Sequence, residues 1–283
     1  MISVCSVAMA VQRYREKNGL ADDLSFVGSI CGDGPYDPVA TLKKYIEDNR
    51  VYMPVGAALL VHSMCNINLR LMGKYKVEDF VTAKCIGSGV FNHIKAKKLN
   101  TDEIAYEMLD YSASHSIADS SEVLCLYRQA EDDNYYPYCS ENKDTLVWKE
   151  GVIRTYYANM TDLILLEVID WFNGKKDPAH KKKMEAFEMA LRDNVLHDGW
   201  TPQHVIYLYH SIGDEVVPFT NYLSCLKAWN KSGYVKGKCY VGLTSSHVKY
   251  GEVFFMVNLG ISMNTLLSGL HTLEGDDDTW YGI

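Results

Sequence analysis

An aspartate and a histidine follow two successive predicted strands in the C-terminal third of the chain. Asp214 comes shortly after the β-branched and aromatic run Val205–Tyr209, and His247 comes shortly after the run Cys239–Thr244. Runs of this kind predict strands that are buried on at least one face. Because ligands and catalytic groups gather at the carboxyl ends of the strands in open α/β sheets, we expect the two side chains to lie at one edge.

A carboxylate beside an imidazole can activate a hydroxyl nucleophile. The carboxylate accepts a hydrogen bond from one ring nitrogen, so the other nitrogen can take the proton of the nucleophile. Asp214 is assigned the orienting role and His247 the general-base role. Each has a simpler explanation when taken alone, as a helix cap and as a surface histidine, but their ordered positions after two strands favour the catalytic interpretation. Glu215 is the alternative acid if Asp214 points away from His247.

The motifs around these two residues resemble the last third of an α/β-hydrolase. Asp214 lies in a G-D-x-x-V-P setting and His247 in an S-H-x-x-x-G setting, and acid before histidine is the chain order of that fold. The segments Gly32–Pro38 (GDGPYDP) and Asn194–Pro202 (NVLHDGWTP) are similar to secretory-lipase-like hydrolases, which carry an inserted helical cap. The resemblance implies an α/β fold class: the C-terminal half of an α/β-hydrolase sheet with a large helical cap insertion.

The same resemblance implies a function. It is that of a serine ester hydrolase of the lipase or esterase type, which acts through a covalent acyl-enzyme without a metal or another cofactor. A small-molecule or lipid ester is the expected substrate. Family resemblance also suggests an extracytoplasmic or secreted protein. The oligomeric state is not indicated by the sequence.

The nucleophile is expected just before the first helix. The small-residue helix predicted at Ser6–Arg15 resembles the helix that follows the nucleophile elbow in α/β-hydrolases. The residues ahead of it, Met-Ile-Ser-Val-Cys, contain no G-x-S-x-G, so Ser3 is either the nucleophile or an ordinary N-terminal serine. We therefore expect an N-terminally truncated hydrolase. Its oxyanion hole would be incomplete and its turnover negligible.

Two other functions share these residues. A non-catalytic α/β-hydrolase-like binding module is favoured by the sequence at residues 2–5, which departs from an elbow. A prolyl peptidase on the same scaffold would use Asp214 and His247 in the same roles. Fold alone does not decide among the three, because one scaffold hosts many activities.

Four segments are expected along the chain. Residues 1–50 and 197–273 are assigned to the hydrolase core, residues 51–196 to the helical cap and residues 274–283 to an acidic tail. Residues 132–149 are expected to form an exposed loop within the cap. The predicted cap helices have apolar residues spaced by three and four; they are Met53–Met72, Val77–Cys85, Asp102–Leu109, Ile117–Ala130 and Met184–Asn194.

Several polar residues lie at the ends of the predicted core elements, and each has a local structural role. The core elements are a strand at Leu24–Cys31, a helix from Pro38 to about Asp48, and helices at Phe219–Asn230 and Gly251–Leu270. Asp37 is predicted to cap the helix that begins at Pro38. Asp33 is interpreted as a turn residue rather than a metal ligand. His210, at a strand end, is expected to close the turn.

Composition excludes some classes of partner and site. The 283 residues carry a formal net charge of −8, so a basic surface that binds nucleic acid is not expected. Eight cysteines are scattered without a C-x-x-C pair, so structural zinc is not indicated, and their pairing is left open. The longest weakly charged run, Val51–Leu69, is interrupted by Pro54, His62 and two asparagines, which argues against a transmembrane segment.

Overall fold

The computed structural model describes residues 4–20, 28–51, 54–96, 126–129, 135–138, 156–212, 214 and 217–240. These residues form a mixed α/β structure with a small parallel sheet and many helices. Ser3, Glu215 and His247 lie outside the described residues, as do the predicted helices at residues 102–109 and 251–270. In the part of the chain that the structure describes, no helix has the length and apolar character needed to cross a bilayer.

The elements are numbered in chain order within the described residues. The helices are α1 (Val4–Lys17), α2 (Pro38–Asp48), α3 (Pro54–Ile67), α4 (Ala83–Gly87), α5 (Val90–Ala96), α6 (Met160–Leu163), α7 (Leu166–Phe172), α8 (Lys181–Arg192) and α9 (Thr220–Ala228). A short 3-10 helix spans Val77–Asp79. The strands are β1 (Gly28–Gly32), β2 (Leu126–Gln129), β3 (Tyr135–Tyr138), β4 (Tyr156–Tyr157), β5 (Val205–Ser211) and β6 (Val235–Tyr240).

The parallel sheet has the strand order β1-β5-β6. Gly32 pairs with Tyr209 across β1 and β5, and Ser211 pairs with Tyr240 across β5 and β6. Because all three strands run in the same direction, their carboxyl ends share one edge. The third strand begins at Val235, before the predicted Cys239. Its first residues include two lysines and a glycine, which are uncommon in strands, so the sequence pattern does not indicate this start. Pairing with β5 sets where the strand begins.

An apolar cluster covers this sheet. Ile206 and Leu208 of β5 are fully buried, and Met9 of α1 packs with them. The helix α9 contributes Tyr222, Cys225 and Trp229 to the cluster. Leu223 of the same helix is 47% exposed and does not belong to the cluster.

A second apolar cluster is formed by helices α2 to α8. Phe80 and Phe187 are fully buried in it and stack with ring centroids 4.5 Å apart. The predicted helix at Met53–Met72 is confirmed as α3, which ends at Ile67. The predicted helix at Val77–Cys85 is instead a 3-10 turn followed by α4. Thr82 begins α4 by accepting a hydrogen bond from the Cys85 amide at 3.1 Å.

Two predictions between residues 117 and 149 are wrong where the structure describes them. Leu126–Gln129, predicted as the end of a helix, is the central strand of an antiparallel sheet with the order β3-β2-β4. Tyr135–Tyr138, predicted as part of an exposed loop, is its neighbour β3. Tyrosines favour strands, but such short strands are stable only when they pair with one another. The region between residues 51 and 196 is therefore not purely helical.

Candidate functional site

Three ionisable side chains meet where β1 and β5 end. Asp33 directly follows β1, His210 is the penultimate residue of β5, and Asp214 follows β5. The side chains of His210 and Asp214 are fully buried, and that of Asp33 is 9% exposed. The parallel pairing of the two strands brings these residues together from opposite ends of the sequence.

The imidazole of His210 lies between the two carboxylates. Its Nδ1 is 3.8 Å from Asp33 Oδ1, and its Nε2 is 3.7 Å from Asp214 Oδ2. Nε2 is also 3.0 Å from the Val217 carbonyl oxygen. Because a carbonyl can only accept, this hydrogen bond places a proton on Nε2. Nδ1 is buried and has no hydrogen-bond partner among the described residues.

Backbone amides hold both carboxylates. Asp33 Oδ1 accepts a hydrogen bond from the Ser211 amide at 2.8 Å, and the Asp33 amide donates to the Tyr209 carbonyl at 3.0 Å. Asp214 Oδ1 accepts from the Val217 amide at 2.8 Å. Amide donors stabilise the ionised form of a carboxylate. The three side chains, here called the Asp33–His210–Asp214 cluster, therefore occupy fixed positions at the ends of the strands.

The cluster could be considered as a metal centre. One ligand atom from each of the three residues lies within 4.8 Å of the others. However, Asp33 faces one ring nitrogen and Asp214 faces the other, and a single ion bonds only one nitrogen of an imidazole. The observed arrangement therefore suits a cluster of side chains held by backbone hydrogen bonds better than a three-ligand metal site.

A tyrosine lies within electrostatic range of the cluster. Tyr45 of α2 is buried, and burial raises the pKa of its phenol well above the usual value. The negative charge of Asp214 raises this pKa further. Tyr45 therefore stays protonated at neutral pH and adds no negative charge next to Asp214.

The two segments that carry the family resemblance contact each other beside the sheet. Asp37 caps α2 by accepting from the Ala40 amide at 2.9 Å, as predicted, and its Oδ2 is 3.3 Å from His197 Nε2. The Asp37 amide donates to Asn221 Oδ1 of α9 at 2.8 Å. Burial acts to raise the pKa of Asp37, but the hydrogen bonds from His197 and Ala40 outweigh it and lower the pKa.

The predicted site residues are described only in part. Asp214 lies at the carboxyl edge of the sheet, just after β5, and β5 is the neighbour of the strand that precedes His247 in the sequence. The contact between Asp214 and His247, and the role of Ser3, stay predictions because His247 and Ser3 lie outside the described residues. Sequence reasoning missed the association of Asp33 with His210. Their positions at the ends of two apolar strands could have indicated it, had parallel pairing of those strands been assumed.

Comparisons with known proteins give a weak structural likeness. Protein-family models and curated proteins give no match to this chain. The chain is similar to a solved structure of the rice cell wall degrading esterase LipA from Xanthomonas oryzae, with 16% identity and a TM-score of 0.41. That match covers 92% of this chain and 56% of the esterase. A ligand-bound form of LipA gives 16% identity and a TM-score of 0.38, covering 89% and 54%.

The similarity to LipA is partial. The chain spans about half the length of the esterase structures that it matches. At such low identity and TM-score, no residue role can be transferred from LipA to this chain.

Proposed function

We propose that this protein is a serine ester hydrolase of the lipase or esterase type, in which Asp214 orients His247. The observation that carries the proposal is the position of Asp214. It is buried at the carboxyl edge of β5, and the parallel neighbour β6 leads at that same edge toward His247. Loops that follow adjacent parallel strands are close in space, so an aspartate–histidine contact is sterically reasonable.

The proposed reaction has two half-reactions. His247 takes the proton of a serine hydroxyl as the oxygen attacks the ester carbonyl, and then gives that proton to the departing alcohol. Water, activated by the same imidazole, hydrolyses the acyl-enzyme and releases the acid. Asp214 accepts a hydrogen bond from the imidazole and stabilises the imidazolium that forms in both steps. The Val217 amide donates a hydrogen bond of 2.8 Å to Oδ1 of this carboxylate.

The fold is proposed to be the C-terminal half of an α/β-hydrolase with an inserted cap. Residues 1–50 and 197–273 would belong to the core, residues 51–196 to the cap and residues 274–283 to a tail. The separate apolar clusters of the sheet and of helices α2 to α8 support a division into core and cap. Helix α2, which is assigned to the core, packs with the cap helices in the second cluster.

The nucleophile and the substrate belong to the proposal as well. Ser3 is the candidate nucleophile within this sequence, and the family resemblance is the support for it. The substrate class is a small-molecule or lipid ester, and the compartment is extracytoplasmic. A non-catalytic module is the second candidate, because Met-Ile-Ser-Val-Cys at the N-terminus lacks the G-x-S-x-G of an elbow.

A probe of serine nucleophiles tests the proposal. A fluorophosphonate should label the protein that contains the true nucleophile, and p-nitrophenyl esters should be hydrolysed. His247→Ala should abolish hydrolysis, whereas His180→Ala, at the start of α8, serves as a matched control and should retain it. Hydrolysis that survives His247→Ala would remove this histidine from the mechanism. Cleavage of prolyl peptides without ester hydrolysis would favour the peptidase, and a complete absence of labelling would favour the non-catalytic module.

A further inference from the structure

The buried imidazole of His210 reaches Asp214 through one intervening residue. Its Nε2–H donates to the Val217 carbonyl at 3.0 Å, and the Val217 amide donates to Asp214 Oδ1 at 2.8 Å. Both polar groups of Val217 are therefore used, one toward the ring and one toward the carboxylate. We propose that His210 is the positioning residue of Asp214. The catalytic importance of this role rests on the proposed function.

Two distances from His210 Nε2 indicate how the ring acts on Asp214. The separation of 3.7 Å between Nε2 and Asp214 Oδ2 is longer than a hydrogen bond, for which ~2.7–3.2 Å is typical. The 3.0 Å contact with the Val217 carbonyl is within that range. The ring therefore orients the carboxylate through Val217, and its direct effect on Asp214 is electrostatic only.

Both ends of this connection are fixed. His210 is held in the sheet by its register opposite Cys239 of β6 and is fully buried. Its ring packs against Phe219 and Tyr222, with centroids 5.8 and 6.1 Å away. The Val217 side chain packs into the helical cluster. The turn that carries Asp214 is thus held between the sheet and the helices.

Asp33 fixes the same turn from the opposite side. Its Oδ1 accepts from the amide of Ser211, the residue where β5 ends. The Asp33 amide donates to the Tyr209 carbonyl, so β1 and β5 are tied together up to the point where the turn begins. Asp33 therefore positions the backbone that His210 and Asp214 share, and a change there should act in the same direction as a change at His210.

Loss of the ring should affect the rate more than substrate binding. A displacement of a catalytic group by ~1 Å can lower the rate about 100-fold. We expect His210→Leu, tested in the protein that hydrolyses esters, to lower kcat about 100-fold and to leave KM nearly unchanged. His210→Gln keeps an N–H donor of similar reach, so it should recover much of the activity.

A second histidine provides the matched control. His197 is also largely buried and faces a carboxylate, but that carboxylate belongs to Asp37 rather than to Asp214. His197→Leu should therefore leave kcat within about threefold of wild type. An equal loss of kcat in His197→Leu and His210→Leu would mean general loosening of the fold, and it would overturn the positioning role.

A measurement without substrate separates this proposal from the proposed function. Amide hydrogen exchange of Val217, followed by NMR, should be slow in the wild type and fast in His210→Leu. If no ester is hydrolysed but this difference is found, the hydrolase proposal fails and the positioning role stands. If Val217 stays protected in a folded His210→Leu variant, the positioning role is wrong. If that variant does not fold, His210→Gln decides, because unchanged protection there supports the proposal and lost protection contradicts it.

A cation would give the cluster a different role. Zn²⁺ should change the melting temperature of the wild type no more than it changes the melting temperature of Asp33→Asn. Stabilisation by Zn²⁺ that is lost in Asp33→Asn would show that the cluster binds a metal ion, and it would overturn the assignment of His210 as a positioning residue.

Discussion

The carboxylate of Glu16 accepts a hydrogen bond of 2.8 Å from the indole of Trp200, although 184 positions separate the two residues in the chain. Glu16 lies near the end of α1 and is buried, and Trp200 belongs to the segment that leads into β5. The same carboxylate accepts from four further donors, which are the Gln12 side chain, the Gln203 amide, the His204 amide and the His204 ring. Glu16 therefore joins the first helix to the central strand.

Glu16→Gln should destabilise the protein strongly. The substituted amide retains one acceptor oxygen and presents an N–H₂ group to donors that then lack a partner, and each buried unsatisfied group costs ~1–3 kcal/mol. We expect the free energy of unfolding to fall by about 3 kcal/mol, measured by urea denaturation. The control Glu47→Gln changes a carboxylate that is 73% exposed, so a change within about 0.5 kcal/mol is expected. Equal effects of the two substitutions would contradict the role of Glu16.

The lowered pKa of Asp37 predicts a pH dependence of stability. The pKa of Asp37 in the folded protein lies below the ordinary aspartate value of 3.8, so the ionised form is favoured in the native state. The stabilisation is complete above the unfolded pKa and is lost as the pH falls through the lower folded pKa. We expect the unfolding free energy of the wild type to fall more steeply than that of Asp37→Asn as the pH is lowered from about 5 to about 2.5.

Asp37→Asn isolates the charge from the cap, because asparagine caps helices nearly as well as aspartate. Chemical denaturation at a series of pH values measures the two slopes. Parallel curves for the two proteins would show that the His197 and Ala40 contacts do not stabilise the ionised carboxylate of Asp37.

The stacked rings of Phe80 and Phe187 predict a loss of unfolding free energy when one of them is removed. Phe187 is fully buried on α8 and stacks on Phe80. Phe187→Ala removes the whole ring from a closed interior, so we expect a loss of about 3–5 kcal/mol in unfolding free energy. Met189→Ala, two positions away on the same helix and 43% exposed, should change it by less than about 1 kcal/mol. Thermal and urea unfolding of both variants measure the difference, and similar losses would contradict the described packing of α8.

The close approach of β1 and β5 predicts that a side chain at Gly28 destabilises the protein. A Cβ atom at Gly28 would lie 2.3 Å from the Val205 carbonyl oxygen, where β1 pairs with β5. This contact is with backbone, so one strand must move, and overpacking of this kind costs about 1–3 kcal/mol or more. Gly233→Ala is the control, because nothing lies within 4 Å of its added Cβ. Denaturation curves should therefore shift for Gly28→Ala and stay near the wild type for Gly233→Ala.

Local chemistry determined several elements from the sequence alone. The helix that begins at Pro38 with Asp37 as its cap, the helix α3 and the strand at the start of β5 are found where they were predicted. Caps, apolar spacing and β-branched runs act over a few residues, so a sequence records them directly. The carboxyl-end position of Asp214 follows from the same local pattern.

Only the tertiary structure decided the remaining features. Leu126–Gln129 is a strand because β3 and β4 pair with it, and β6 begins at Val235 because β5 offers it partners. The Asp33–His210–Asp214 cluster exists because parallel pairing brings residues from opposite ends of the chain to one edge. Pairing partners and registers depend on contacts between distant segments, and no local run of residues specifies them.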